Sequence, residues 1–285
     1  MFIPFQLGRY TVTGCLGTGG MSEVLEGQLV DDEGEIVRVA IKRPLPGVGG
    51  DSRLLTVFWE ECALCERLKH PAFPRFIEST MAGGIPVMAM ELVRGRRLRE
   101  ILRGRAPGEL GANPATWVHL AASVAEALHA LHGVRGERGR PVLHGDVNPS
   151  NLLLDLGGAV RVVDLGVAAG LSAGLLDALP GHKGYHPPYL SLSVRDPGPD
   201  LDTYATARVL VECLAGTDPQ VAMERGLPEG LVTVLSRALD PGGMYVYRSA
   251  GQLALDLRSF IREDRREDMR RELAILAAAP TPFSG

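Results

Sequence analysis

Cysteine is scarce in this chain. The 285 residues include four, Cys15, Cys62, Cys65 and Cys213. They are too few and too scattered for a disulfide framework, which points to a reducing compartment. A long apolar run is also missing. The best candidate, ATWVHLAASVAEALHALHG, is broken by His119, Glu126, His129 and His132 and reads as a buried amphipathic helix. The opening MFIPFQLGRY has no basic segment followed by an apolar stretch, so no secretory leader is expected. Nor is there a surplus of positive charge. The net charge of −4 does not suggest a nucleic-acid partner. The expectation is a soluble cytoplasmic protein that binds neither membrane nor nucleic acid, without internal repeats.

What is present reads as globular, with 45% hydrophobic and 22% charged residues. The length suits one large domain or a two-lobed one. The first part is β-rich. RYTVTGCLGTGGMSEVLEGQLV reads as strand, Gly-rich turn and strand, and VRVAIKRPL as a third strand after the turn DDEGE. LLTVFWEECALCERLKH has helical spacing, and strands follow around FIEST and PVMAMELV. RLREILRG is a short helix. From about position 98 the pattern turns mostly helical. A long helix is expected over 114–132, with Val118, Ala121, Val124, Ala125, Leu128 and Leu131 inward. Two short strands at 152–154 and 160–163 come next, then helices at 200–215, 228–239 and 249–262. The mixed-charge RSFIREDRREDMRRELAIL reads as a solvated helical surface, and the tail after it as loose.

Several short motifs carry chemistry. Leu16-Gly17-Thr18-Gly19-Gly20-Met21-Ser22-Glu23-Val24 lies between two expected strands, where glycines let backbone N–H groups approach a phosphate. Alone this is weak, because Gly-rich hairpins are common. Val39-Ala40-Ile41-Lys42 is a strand ending in a Lys, and Glu61 lies on the following helix. A strand Lys oriented by a carboxylate can grip phosphates, although a surface Lys on an ordinary strand reads the same way. His144, Asp146 and Asn151 follow in HGDVNPSN, and Asp164-Leu165-Gly166 comes directly after a strand. Here Asp146 could take a proton from an acceptor hydroxyl, and Asn151 and Asp164 could hold Mg²⁺. Finding all of these in this order makes coincidence improbable.

On GTGGMSEV, VAIK, FWEECALCERLKHP, VMAMELVRGRRL, HGDVNPSN, DLG, GYHPPY and DTYATARVLVECLAGTDP, the chain resembles the protein kinase family, above all bacterial Ser/Thr kinases. The resemblance covers residues 8 to about 262. It implies a two-lobed α+β fold, with a β-rich N-lobe holding one helix (1–93), a mostly helical C-lobe (94–262), and a C-terminal helix and tail (263–285). ATP and Mg²⁺ are the implied cofactors. Leu16, Gly17, Gly19 and Ser22 would lie over the nucleotide. Lys42 and Glu61 would form the small-lobe ion pair. Met90 would be the gatekeeper, with Glu91 and Val93 in the adenine hinge and Val24, Ala40 and Leu153 around the adenine. Asp146 would be the catalytic base, Asn151 and Asp164 the metal ligands. Asp202 would hold the catalytic-loop backbone, and Cys65, His144 and Leu165 would join a hydrophobic stack.

The pattern also departs from the family. Ser22 stands for the third Gly. Gly145 replaces the Arg that grips a phosphorylated activation segment, and 164–188 contains no Thr and Ser172 alone among serines. Asn148 replaces the Lys that contacts the γ-phosphate, leaving at most a neutral donor there. His182 stands where a Thr braces the base. Tyr189 stands where a Glu pairs with the late Arg248, so Arg248 is expected to lack its buried partner. Between Gly216 and Pro228 there is little room for a substrate-docking helix. Three readings follow: an active Ser/Thr protein kinase, favoured by the intact set Lys42, Glu61, Asp146, Asn151 and Asp164; a pseudokinase that binds nucleotide or serves as a scaffold; and a small-molecule phosphotransferase, whose loops also carry HGD. Substrate, partner and oligomeric state stay open. Other features read as structural. Cys62 and Cys65 form a mid-helix CxxC with no second pair, and Trp59 and Trp117 are expected to pack.

Overall fold

The computed structural model describes residues 2–30, 33–45, 52–103, 112–136, 139–172, 182–191, 197–215, 227–240, 244 and 246–279. Six antiparallel strands form the first sheet: β1 (Phe5–Leu7), β2 (Tyr10–Thr18), β3 (Ser22–Val30), β4 (Ile36–Pro44), β5 (Phe76–Ala82) and β6 (Ile85–Glu91). Their order is β1-β2-β3-β4-β6-β5. One face closes on Tyr10, Val12, Leu25, Val39, Ile41, Val87 and Ala89, all buried. These residues alternate along their strands, as a half-buried sheet requires. Helix α1 (Ser52–Arg67) packs on the other face through Phe58 and Cys62 against Met88.

A three-stranded sheet, β7 (Gly95–Arg97), β8 (Leu152–Asp155) and β9 (Val160–Val162), begins the second half. The helices there are α2 (Leu98–Leu102), α3 (Pro114–Gly133), α4 (Gly166–Ser172), α5 (Pro188–Ser191), α6 (Asp200–Ala215), α7 (Glu229–Ala238), α8 (Ala250–Arg258) and α9 (Arg266–Ala278). Helix α3 starts where its sequence says it should. Asn113 accepts a hydrogen bond from Ala115 N at 2.9 Å, and Pro114 opens the first turn, where its missing N–H costs nothing. All six residues expected to face inward on α3 are buried, as is Trp117. Trp59 is 37% exposed and only leans edge-on against Phe58, so it packs less than expected. The result is the expected α+β architecture.

The C-terminal segment corrects the sequence reading. The mixed-charge stretch is not one solvated helix. Helix α8 ends at Arg258, and α9 buries Met269, Leu273, Leu276 and Ala277 in the same core as α3 and α8. Its charges mislead because they fall on the outer face and between turns. One of them works inward: Glu272 accepts from Asn113 N at 3.1 Å and from Thr116 Oγ1 at 2.6 Å, a carboxylate at the positive end of α3. The chain approaches closely here. A Cβ on Gly158, which has φ +78°, would lie 1.9 Å from the Arg270 carbonyl oxygen. The tail LAAAPTPFSG, expected to be loose from Leu276 on, is helical to Ala278 and buries Leu276 and Ala277, and its residues 280–285 lie outside the described residues.

Leu273 is fully buried. Leu273→Ala should therefore cost about 2–5 kcal/mol in urea unfolding. A solvated helix would give a change under about 0.5 kcal/mol.

Candidate active site

Strand β4 places Lys42 in register with Val24 on one side and Met88 on the other. The Lys42 side chain is buried, and Nζ donates to both oxygens of Glu61 at 2.6 and 2.7 Å. It also donates to Asp164 Oδ1 at 2.8 Å. Glu61 reaches this point because it lies on the inward face of α1. Burial works against the Lys42 charge, but the two carboxylates outweigh it and hold the ammonium well above the usual lysine range. Burial raises Glu61, against the pull of Lys42 and with the push of Asp164. The Lys42 charge holds Asp164 down at about 2.

Asp164 reaches Lys42 through an unusual backbone. Its φ is +68°, the one positive φ outside glycine among the described residues. Asp tolerates this region better than most residues, at a cost of about 1–2 kcal/mol. Gly166 then leaves space. A Cβ there would meet Asp164 Oδ1 and Glu61 Oε2, both at 3.4 Å.

The segment 144–151 is held from below by Asp202. This buried carboxylate on α6 accepts from His144 N at 2.8 Å, Gly145 N at 2.9 Å and His132 Nε2 at 2.8 Å. Burial alone would raise Asp202, and the His132 hydrogen bond with the loop N–H groups holds it below its ordinary value. Gly145 has φ +77°, where glycine is free of strain. His144 is fully buried. It accepts from Asp146 N at 3.3 Å and faces Val163 O at 3.3 Å, a structural hydrogen-bonder as expected. The Asp146 carboxylate is braced on both sides. Asn151 Nδ2 donates to Oδ2 at 2.9 Å, and His182 contacts Oδ1 through its N–H at 3.2 Å and Nδ1 at 3.1 Å. Asn151 Oδ1 and Asp164 Oδ2 have no hydrogen bond among the described residues. Two such oxygens, one of them anionic, fit a hard divalent cation.

Asn148 takes a different place from the one expected. It is fully buried, donating from Nδ2 to Asp146 O at 3.0 Å and accepting at Oδ1 from Ser150 N at 2.8 Å. Both polar ends bond the loop itself and the side chain is fully buried, so Asn148 is turned to the loop and not to the open cleft. Arg248 is exposed, and Tyr189 bonds Asp200 instead.

The remaining expected residues surround the same region. Gly17 pairs with Val24, and Ala40 with Met90. Leu153 is the half-buried residue between Leu152 and Leu154, both fully buried, so strand alternation turns it away from the helical core. Gly19 N bonds Ser22 O at 2.8 Å, closing the Gly-rich turn, with Leu16 exposed beside it. Glu91 N bonds Arg75 O, and Val93 is half-buried in the connection to β7. Cys65 packs against the core that contains Leu165. Burial pushes the Cys62 thiol up to about 12, which leaves it inert.

Three residues at the site carry no motif. His132 interrupts an apolar run in the sequence, although its spacing on α3 puts it on the buried side. Arg161 bonds the Glu91 carboxylate at 2.5 Å and holds it below the usual range once burial is overcome. Arg97 donates to Ser150 O beside the Gly-rich turn. The expected short docking region falls at 216–226, outside the described residues. The flanking helices end at Ala215 and begin at Glu229.

Comparison with known proteins agrees with this geometry. The family model described as protein kinase domain matches residues 10–227. The Ser/Thr kinase PknB of Mycobacterium tuberculosis is 28% identical over 291 aligned positions, covering 90% of this chain and 44% of PknB. The tyrosine-protein kinase MasK of Myxococcus xanthus is 31% identical over 56% of this chain and 25% of its own length. This chain thus spans less than half of these curated relatives. The crystal structure of the M. tuberculosis PknI kinase domain superposes with a TM-score of 0.67 at 26% identity, over 90% of this chain and 98% of that one.

If Asn148 braces the loop, Asn148→Ala should lower stability by about 1–3 kcal/mol in thermal or urea unfolding. An Asn reaching toward a phosphate from an open cleft would leave the unfolding midpoint unchanged.

Proposed function

Because the chain belongs to the protein kinase family, we propose that it binds Mg-ATP and transfers the γ-phosphate to a Ser or Thr hydroxyl of a protein acceptor. The observation that carries this reading is the assembled set of groups. Lys42 is paired with Glu61, Asp164 is turned in to the same ammonium, and Asp146 and Asn151 are hydrogen-bonded to each other. No rearrangement of these side chains is needed to complete the set.

Mg-ATP supplies the transferable phosphoryl group and, through its metal, charge neutralisation. Asn151 and Asp164 would hold the metal through their free oxygens. Lys42 would hold the phosphates, its direction fixed by Glu61. The backbone of the Gly17–Ser22 turn would cover them. Val24, Ala40, Met90 and Leu153 would enclose the adenine, against the hinge at Glu91 to Val93. Asp146 would orient the acceptor hydroxyl and take its proton as the new O–P bond forms and the bond to the ADP oxygen breaks.

Two features set this site apart. No cation comes from the 144–151 loop to the γ-phosphate, so less developing charge is balanced there. And the segment around Tyr185 is anchored without a phosphate. Arg99 Nη2 donates to the Tyr185 hydroxyl at 2.8 Å, Arg99 Nη1 bonds Glu212 at 2.7 Å, and Tyr185 bonds Glu212 directly. This contact supports an active segment that needs no phosphorylation to be ordered. A scaffold role without transfer rests on departures from the family pattern, Gly145, Asn148, His182 and Tyr189, and a small-molecule role on the HGD loop and the short stretch between Gly216 and Pro228. The relatives favour neither. Among the described residues no helix is long and apolar enough to cross a membrane. With Cys15, Cys62, Cys65 and Cys213 all free thiols, we place the chemistry in the cytoplasm.

Asp146→Asn should lower γ-phosphate transfer about 100-fold or more while leaving the Mg-ATP thermal shift nearly intact. Asp164→Ala should lose both transfer and the Mg²⁺-dependent part of the shift. Ser, Thr and Tyr acceptors are compared, since MasK is named for tyrosine. Transfer that survives in Asp146→Asn would remove Asp146 as the base.

A further inference from the structure

The chain is acidic overall, yet residues 94–103 hold five arginines, Arg94, Arg96, Arg97, Arg99 and Arg103, against the single acid Glu100. Two of the five are committed. Arg99 holds Glu212 and Tyr185. Arg96 donates to Leu276 O, Ala279 O and Glu100 O at 3.3, 2.7 and 3.2 Å, closing the C-terminal end of α9.

Arg97 is different. Strand alternation on β7 turns it to the face opposite Arg96. It pairs in register with Leu153 of β8, which turns away from the helical core. Its Nη2 lies 3.4 Å from where a Cβ of Gly17 would stand, and its Nη1 donates to Ser150 O. The guanidinium therefore sits between the Gly-rich turn and the catalytic loop, one residue from Asn151. It is half-buried, and among the described residues it contacts no carboxylate. The neighbouring Arg94 and Arg103 are exposed and likewise have no carboxylate partner among the described residues. A half-buried guanidinium whose acceptor among the described residues is one backbone carbonyl keeps donors in reserve. Its planar fork suits a carboxylate.

We infer that Arg97 selects acceptors bearing an acidic side chain close to the hydroxyl that receives the phosphate. This rests on the kinase reading and names its substrate class. The acidic group would dock on the Arg97 fork at the lip of the site, while Asp146 addresses the hydroxyl. A basic acceptor would meet an uncompensated like charge, so discrimination comes from repulsion as well as attraction.

The test uses the full chain and three matched Ser peptides whose flanking residues are acidic, neutral or basic. Transfer is measured as kcat/KM. Binding is measured separately by fluorescence anisotropy, with Ser→Ala versions of the same peptides and Mg-ATP present. The wild type should favour the acidic over the basic peptide by about 10- to 100-fold, the range of one charge-assisted hydrogen bond. Arg97→Gln should flatten that preference, and Arg97→Glu should invert it. The Mg-ATP thermal shift should stay near wild type in both variants. Acidic preference in binding with no transfer to any peptide would count against the kinase reading and leave the role of Arg97 standing. Equal binding of the three peptides would overturn the inference. So would variants that weaken only the nucleotide shift, because Arg97 would then serve the nucleotide.

Discussion

One ammonium group joins the two halves of this protein. Lys42 comes from the first sheet, Glu61 from the helix packed on it, and Asp164 from the end of the second sheet. A buried lysine is tolerable only when paired, and this one has two carboxylates. The surrounding structure serves that contact. The apolar stripe of α1 aims Glu61 inward, a left-handed residue aims Asp164, and a glycine follows where a side chain would intrude. One negative charge remains in excess. It lies on the solvent-facing side of Asp164, whose side chain is 54% exposed, where a divalent cation would balance it.

The neighbouring loop is organised on another principle. Its cations have been replaced by amides and backbone. Asp202 gathers two loop N–H groups and His132, Asn148 staples the turn, and Asn151 steadies the Asp146 carboxylate. Asp202 and Asn148 each use both ends of their side chains within this network, while His132 Nδ1 stays buried without a partner among the described residues. These contacts are made without a phosphate, and the Tyr185–Arg99–Glu212 contact extends the same pattern to the following segment.

Much of the fold could be read from residue order because its signals are local. Val39 to Lys42 alternates as a strand should, the α3 stripe has helical spacing, and Asn113-Pro114 announces a helix start. The grouping of Asp146, Asn151 and Asp164 is legible for the same reason, since HGDVNPSN and DLG are short and ordered. What residue order hides is side-chain direction and long-range packing. Nothing in the spelling of Asn148 says that its amide is consumed two residues away in each direction. Nothing in MRRELAIL says that a charged helix lies against Gly158 and hides Leu273. Strands as short as β1 and β7 carry too few residues to show a period. Arg97 could be found only once β7 had a register and an opposite face.

The docking of α9 sets the size of the autonomous folding unit. The family match stops at residue 227, yet the core it belongs to is completed by Leu235, Leu253, Leu257, Met269 and Leu273. A chain cut at the family boundary would bare that apolar surface, strip Glu272 from the start of α3, and leave Arg96 with the Glu100 carbonyl alone. The smallest piece of this protein that can be expected to stand by itself therefore reaches to about residue 279, some fifty residues past the end of the family match at 227.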